Sequence, residues 1–214
     1  MMLDWNKYSH AYGSAKDVPE MIRGLASNDK SVRENSMYSL CSSIAHQGTV
    51  YDATVHAIPF LLELLSAPRV ADKSDLLQFL ACLAAGSGCD HDVLASHSAV
   101  VEGTTLFLQF LNSSERQLRL SVPYVLAECV ERQVDVDRGL RQAILAENDP
   151  TVKASMVFGL IQLWQNKVRY KACDDGDSTI PRRAIDNNPV TKLRALVNSC
   201  EVFSCQGSQR QFAW

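Results

Sequence analysis

Apolar positions along the chain recur three or four residues apart, and the strict alternation that marks a half-buried strand is nearly absent. The stretch "DVPEMIRGLAS" predicts the first helix: Asp17 can cap it, Pro19 suits its first turn, and Glu20 stands where a capping box places an acid. Four later segments share one pattern, "DKSVRENSMYSL" from Asp29, "ERQLRLSVPYVL" from Glu115, "DPTVKASMVFGL" from Asp149 and "NPVTKLRALVNS" from Asn188. Each opens on a polar capping residue and carries a cation at its fifth position: Arg33, Arg119, Lys153 and Lys192. Val32, Leu118 and Val152 precede three of those cations, and Thr191 the last. A weaker copy, "DKSDLLQFLACL" from Asp72, has Leu76 in the cation's place. Between these segments lie second helices, the clearest being "TVYDATVHAIPFLLELL", "TTLFLQFLN" and "DVDRGLRQAILAE". The expected core is Ile58, Leu61, Leu62, Leu65, Leu80, Leu83, Leu126, Val157 and Leu160.

A helix pair of this size cannot bury its apolar stripe alone, whereas stacked pairs share one continuous core. The Asp-x-x-Val-Arg opening and the second helix "AIPFLLELL" resemble the HEAT-repeat family, and the longer block from His10 to Leu65 is similar to stand-alone bacterial HEAT-repeat proteins. The resemblance spans residues 10–165 and fades beyond them. It implies an all-α fold, a right-handed α–α superhelix of the HEAT/armadillo-like solenoid kind with about five helix pairs. In that family the acid and the cation are architectural, and the second helices line a concave binding surface. The chain then reads as one solenoid over 1–214, with an N-terminal aromatic cap (1–16), an irregular loop (166–188) and a ragged C-terminal tail (199–214).

Composition changes the picture little. Hydrophobic residues make up 46% and charged residues 21%, so an ordinary globular core is within reach. A formal net charge of −3 gives no support to nucleic-acid binding, which favours a basic face. No apolar run approaches the roughly 20 residues that span a bilayer, and no basic-then-apolar leader opens the chain. The expected location is the cytoplasm. Seven cysteines, an odd number without a Cys-x-x-Cys pair, agree with free thiols there.

Candidate chemistry gathers at four places. In "HQGTVYDATVHAIPFLLELL", Gly48 suits the left-handed turn after a helix, Thr49 can cap the next one, and Asp52 completes a capping box. Tyr51, Asp52 and His56 open that helix, and Asp52 and His56 share a face. The N-terminal "LDWNKYSHAYG" crowds Trp5, Tyr8, His10 and Tyr12 together, residue types that shield a solenoid end or anchor a partner. "GSGCDHDVLASH" offers zinc-ligand types in Cys89, Asp90, His91, Asp92 and His97, but no second ligand pair at zinc spacing accompanies them. Asp92 there reads as a helix cap. A late basic cluster, Lys167, Arg169, Lys171, Arg182, Arg183, Lys192 and Arg194, is interleaved with aspartates.

No nucleophile elbow, phosphate loop or His-Glu-x-x-His is present. The expected function is therefore non-enzymatic protein–protein interaction, as an adaptor or inhibitor, through Trp5, His10, Tyr12, Tyr51, Asp52 and His56. No cofactor or metal is expected. A toxin-neutralising immunity protein is one form of that reading. The rival is nucleic-acid binding, or glycosylase-like chemistry, on a HEAT scaffold.

Overall fold

The computed structural model describes the backbone of residues 3–174 and the side chains of residues 3–167. Among these residues nine α-helices follow one another: α1 (Val18–Gly24), α2 (Lys30–Ile44), α3 (Asp52–Ser66), α4 (Lys73–Ala84), α5 (Asp90–Val101), α6 (Thr104–Phe110), α7 (Arg116–Leu126), α8 (Gln133–Ala146) and α9 (Pro150–Asp174). Strand is confined to two-residue bridges. β1 (Ser9–His10) pairs antiparallel with β2 (Gly13–Ser14), and β3 (Thr49–Val50) pairs parallel with β4 (Ser87–Gly88). The hydrophobic pattern does not announce them, because two residues are too few to show alternation. No described helix is long and apolar enough to cross a membrane. Met1–Lys167 form one unit and Val168–Trp214 a second, of which the helical backbone to Asp174 is described.

Two of the expected acidic caps form. Asp29 Oδ1 accepts the Ser31 N–H at 2.8 Å, and Asp149 Oδ1 accepts those of Thr151 and Val152 at 2.9 and 3.1 Å. Glu115 makes no such bond, and neither does Asp17 or Asp72. Asp72 has φ +52° and gives its carboxylate to Arg33 instead. At α5 the cap position is Cys89, not Asp92, which lies in the first turn.

The helices pack on near neighbours. α1 lies against α2 and α3; α3 against α4 and α5; α4 against α5 and α7; and α6 against α7 and α8. Their shared interior is aliphatic. Ile58, Leu61 and Leu65 of α3, Leu77, Leu80 and Leu83 of α4, and Leu126 of α7 are fully buried. Leu76, which stands where other copies carry a cation, is also core, so that copy substitutes packing for an ion pair. Leu62 and Leu160 are only half-buried, and Val157 is 40% exposed. α9 turns Val152, Ser155, Met156 and Leu163 inward, which leaves Val157, Ile161 and Trp164 on its outer side. α9 also comes very close to α7. A Cβ on Gly159 would sit 2.6 Å from Pro123 Cβ and 2.8 Å from the Pro123 carbonyl oxygen. Ser155 Oγ donates to the Leu120 carbonyl at 2.7 Å beside this approach.

The repeated cations do the same thing twice. Arg33 Nη1 donates back to the carbonyls of Ser27 and Asn28 at 3.0 and 3.1 Å, while its Nε reaches Asp72 at 2.6 Å. Arg119 Nη1 donates back to Ser113 and Ser114 at 2.8 and 3.3 Å, while its Nε reaches Glu147 at 2.7 Å. Each guanidinium thus closes the turn before its own helix and ties it to an acid ahead of a later one.

Residues 166–174, expected to begin an irregular loop, are helical. The run "NKVRYKACD" contains good helix formers and no glycine or proline, so nothing stops the helix before "DGDS". The rest of that expected loop, the copy from Asn188 with Lys192, the basic residues Arg182, Arg183 and Arg194, and the tail 199–214 lie outside the described residues.

Candidate functional site

Trp5 at the N-terminus and Asp52 and His56 at the start of α3 belong to one cluster, His10 and Tyr12 follow on the same arm with Asp17 and His46 as their partners, and Tyr51 holds the cap position of α3. The segment from Trp5 to Ser9 lies along α3 and runs against its direction. Asp52, His56 and Phe60 repeat every four residues and therefore form a single stripe on the helix. Ser9 meets the first, Tyr8 the second and Trp5 the third. Asp52 Oδ1 accepts the Ser9 N–H at 2.8 Å and the Ser9 hydroxyl at 3.1 Å. The Tyr8 and His56 rings meet at a tilt of 38° with centroids 3.8 Å apart. Trp5 leans on Phe60 at 6.0 Å and meets the edge of Tyr8 at 6.2 Å.

The local backbone is shaped for this contact. Asp4 caps the 3₁₀ turn Trp5–Lys7, with its Oδ1 accepting the Asn6 N–H at 3.3 Å. The bridge between β1 and β2 then folds the arm back on itself. The Ala11 N–H donates to the Ser43 carbonyl at 3.1 Å, which fastens the arm to the end of α2. Gly48 takes φ +80°, as a helix-ending glycine does, and Gln47 joins it at φ +50°.

Thr49 does not cap α3. It lies in β3, two residues before the cap position at Tyr51. The reciprocal bond there runs from the Tyr51 N–H to Thr54 Oγ1 at 2.9 Å, and the Thr54 hydroxyl donates in turn to the Ile44 carbonyl. A buried threonine thereby joins the end of α2 to the start of α3, while Asp52 Oδ1 holds the arm and also takes the Ala53 N–H of its own first turn at 2.7 Å.

His10 is buried, and its ring is fully committed. The Tyr12 N–H donates to Nδ1 at 3.1 Å, so Nε2 carries the proton and donates to Asp17 at 2.9 Å. This contact draws away the carboxylate that was expected to cap α1. His46 Nδ1 donates to the Ser42 carbonyl at 3.1 Å, and the Tyr12 hydroxyl stands 3.2 Å from the same nitrogen. Tyr12 remains 66% exposed and Phe60 39% exposed. The outer edge of the cluster is therefore aromatic and open, while its inner edge is hydrogen-bonded and closed.

The other candidates lie apart from the cluster. Cys89 is exposed and His97 is buried, so the two do not meet as the ends of one ligand set. No group of three or more His, Cys, Asp or Glu side chains suited to a metal occurs among the described residues. His97 faces the Ala84 carbonyl through Nδ1 at 3.1 Å and Glu131 through Nε2 at 3.0 Å. Burial opposes charge on that ring, yet the hydrogen bond and charge of Glu131 outweigh it and its pKa is raised. Burial likewise opposes charge on Glu131, but the bond from His97 prevails and its pKa is lowered. Burial drives the thiols of Cys41 and Cys129 up to about 12, which leaves neither as a ready nucleophile.

Ser9, Phe60 and Glu131 are absent from the sequence-based expectation. The i, i+4, i+8 stripe of α3 is a readable signal for Phe60. Nothing local marks Ser9 or Glu131, whose partners are 43 and 34 residues away.

No protein-family model matches the chain, and no curated protein matches it either. Among solved structures the chain is similar to the crystal structure of an engineered protein, with 14% identity, 88% of this chain and 80% of that chain covered, and a TM-score of 0.46. A likeness at that level carries no argument about fold or function.

Proposed function

We propose that the chain is a HEAT-like α-solenoid that works as a non-enzymatic protein-binding module, an adaptor or inhibitor acting in the cytoplasm. The observation that carries the proposal is the repeated arginine junction at Arg33 and Arg119. Equivalent bonds at corresponding places in two helix pairs are what stacked repeats need, because each pair is held mainly by its neighbours. A rigid stack of that kind presents its junctions and arm as a fixed surface.

Two further features support the reading. Hollows of about 30 and 250 Å³ lie beside Asp72 and Glu147 at these junctions, below the several hundred Å³ usual for a small-molecule site. Exposed Tyr12 near one end of the arm, and Phe60 with half-buried Trp5 against it near the other, are residue types that anchor protein interfaces. Cys41, Cys82, Cys89 and Cys129 are not joined in disulfides, which suits a reducing compartment.

The test is affinity capture with the tagged chain, followed by measurement of Kd for the recovered protein. The double variant Tyr12→Ala, Phe60→Ser should weaken that complex tenfold or more, the order expected for interface anchors. Leu145→Ser, at a site 85% exposed on α8, should leave it unchanged. Equal binding by both variants would reject the arm as the contact surface.

A further inference from the structure

We propose that His97 and Glu131 form a pH-sensitive latch holding the turn Val130–Arg132, and with it the start of α8, against α5. The inference does not depend on the protein-binding reading. It begins from what can donate and what can accept. His97 is 3% exposed. Its Nδ1 faces a backbone carbonyl, that of Ala84 at the end of α4, and its Nε2 faces both carboxylate oxygens of Glu131, at 3.0 and 3.2 Å. A carbonyl and an ionised carboxylate only accept, so the arrangement is satisfied in full when both ring nitrogens carry protons and the imidazole is a cation. Neutralising it strips one N–H, so that a buried ring nitrogen faces an acceptor, and on the Nε2 side that acceptor is the half-exposed Glu131 carboxylate, which is free to turn to solvent.

The charged groups acting on His97 are Glu131 first and Glu128 behind it, both on the connection between α7 and α8. From the α4 side the facing group is the Ala84 carbonyl. Glu128 is itself tied down, since Asn166 donates to it at 3.1 Å and to the Ala127 carbonyl at 2.9 Å. Glu131 therefore carries the movable end of the latch. α8 packs on α6 and follows directly from this turn, and α9 also holds it, Lys167 donating to Gln133 and Trp164 to Asp137, so release of the turn frees the first residues of α8 while those bonds keep the rest in place.

The sign follows from the two pKa directions. The His97 contribution is full below its unfolded value of 6.5 and is lost as pH rises through a higher folded value. The Glu131 contribution is full above its unfolded value of 4.5 and is lost as pH falls through a lower folded value. The latch is closed between those limits and opens on the alkaline side by deprotonation of His97.

The experiment combines an NMR titration of the His97 ring nitrogens with amide hydrogen exchange at Arg132 and Gln133 over the same pH range. The expected result is a midpoint above 6.5 with both ring nitrogens protonated below it. Exchange at the two amides, corrected for its intrinsic pH dependence, should accelerate roughly fivefold or more on crossing that midpoint. In Glu131→Gln the midpoint should fall and the exchange step should vanish. A midpoint at or below 6.5, a midpoint unmoved by that substitution, or exchange indifferent to the midpoint would each overturn the latch. Should the variant not fold, the wild-type titration and exchange decide the matter by themselves.

Discussion

Asp52 shows how one side chain changes role between local and tertiary views. Next to Thr49 in the sequence it reads as half of a capping box. In the folded chain it accepts two hydrogen bonds from Ser9 besides one from Ala53 in its own first turn, and Thr54 takes the Tyr51 N–H at the cap position. Two predictions separate these roles. Asp52→Ala should cost about 1–2 kcal/mol, in the range for hydrogen bonds to a charged group at a half-exposed site. Thr49→Ala should stay within about 0.5 kcal/mol, as for a residue that caps nothing. Urea unfolding of both variants checks the pair, and a larger loss at Thr49 would restore the local cap. The face shared by Asp52 and His56 was legible because four residues make nearly one helical turn. The partners on that face were not, since they come from a distant segment whose approach no local rule describes.

At the scale of elements, the helices were readable and their inward faces mostly so. Leu61 is fully buried, and Leu61→Ala should cost about 2–5 kcal/mol by thermal or urea unfolding. Val157 marks the limit of periodicity. Its apolar neighbours Ile161 and Trp164 make an equally regular stripe, and only the close approach of α9 to α7 selects the opposite side. That approach makes its own prediction. Gly159→Ala should destabilise by about 1–3 kcal/mol, because the new methyl meets the rigid Pro123 backbone, although alanine is the better helix former elsewhere. Arg119→Lys belongs to this scale too. Lysine keeps the charge but cannot reach Ser113 and Glu147 together, so it should lose about 1–2 kcal/mol and rescue little relative to Arg119→Ala. Full rescue by lysine would reduce the junction to simple charge attraction.

For the whole molecule, the response to acid collects the junctions. The bond from Arg116 holds Asp149 at about 2, and the bond from Arg119 holds Glu147 below the usual carboxylate range. Both folded values are depressed, so their contribution is present above the unfolded values of 3.8 and 4.5 and is lost as pH falls. Circular dichroism followed down from neutral pH should show helix lost progressively between about pH 4.5 and 2, earlier in Arg116→Ala; helix retained unchanged to pH 2 would contradict this. The sequence by itself determined most of the helical stretches, where arginines recur at helix starts, and most of the leucines that seek the interior, because helical period and propensity act over a few residues. Only the tertiary structure decided that Trp5 and Tyr8 lean on α3, that Asp17 serves His10 rather than its own helix, and that His97 finds Glu131. Those choices depend on which buried acceptor meets which donor across the packed helices, and contacts between residues far apart in the chain have no period to read.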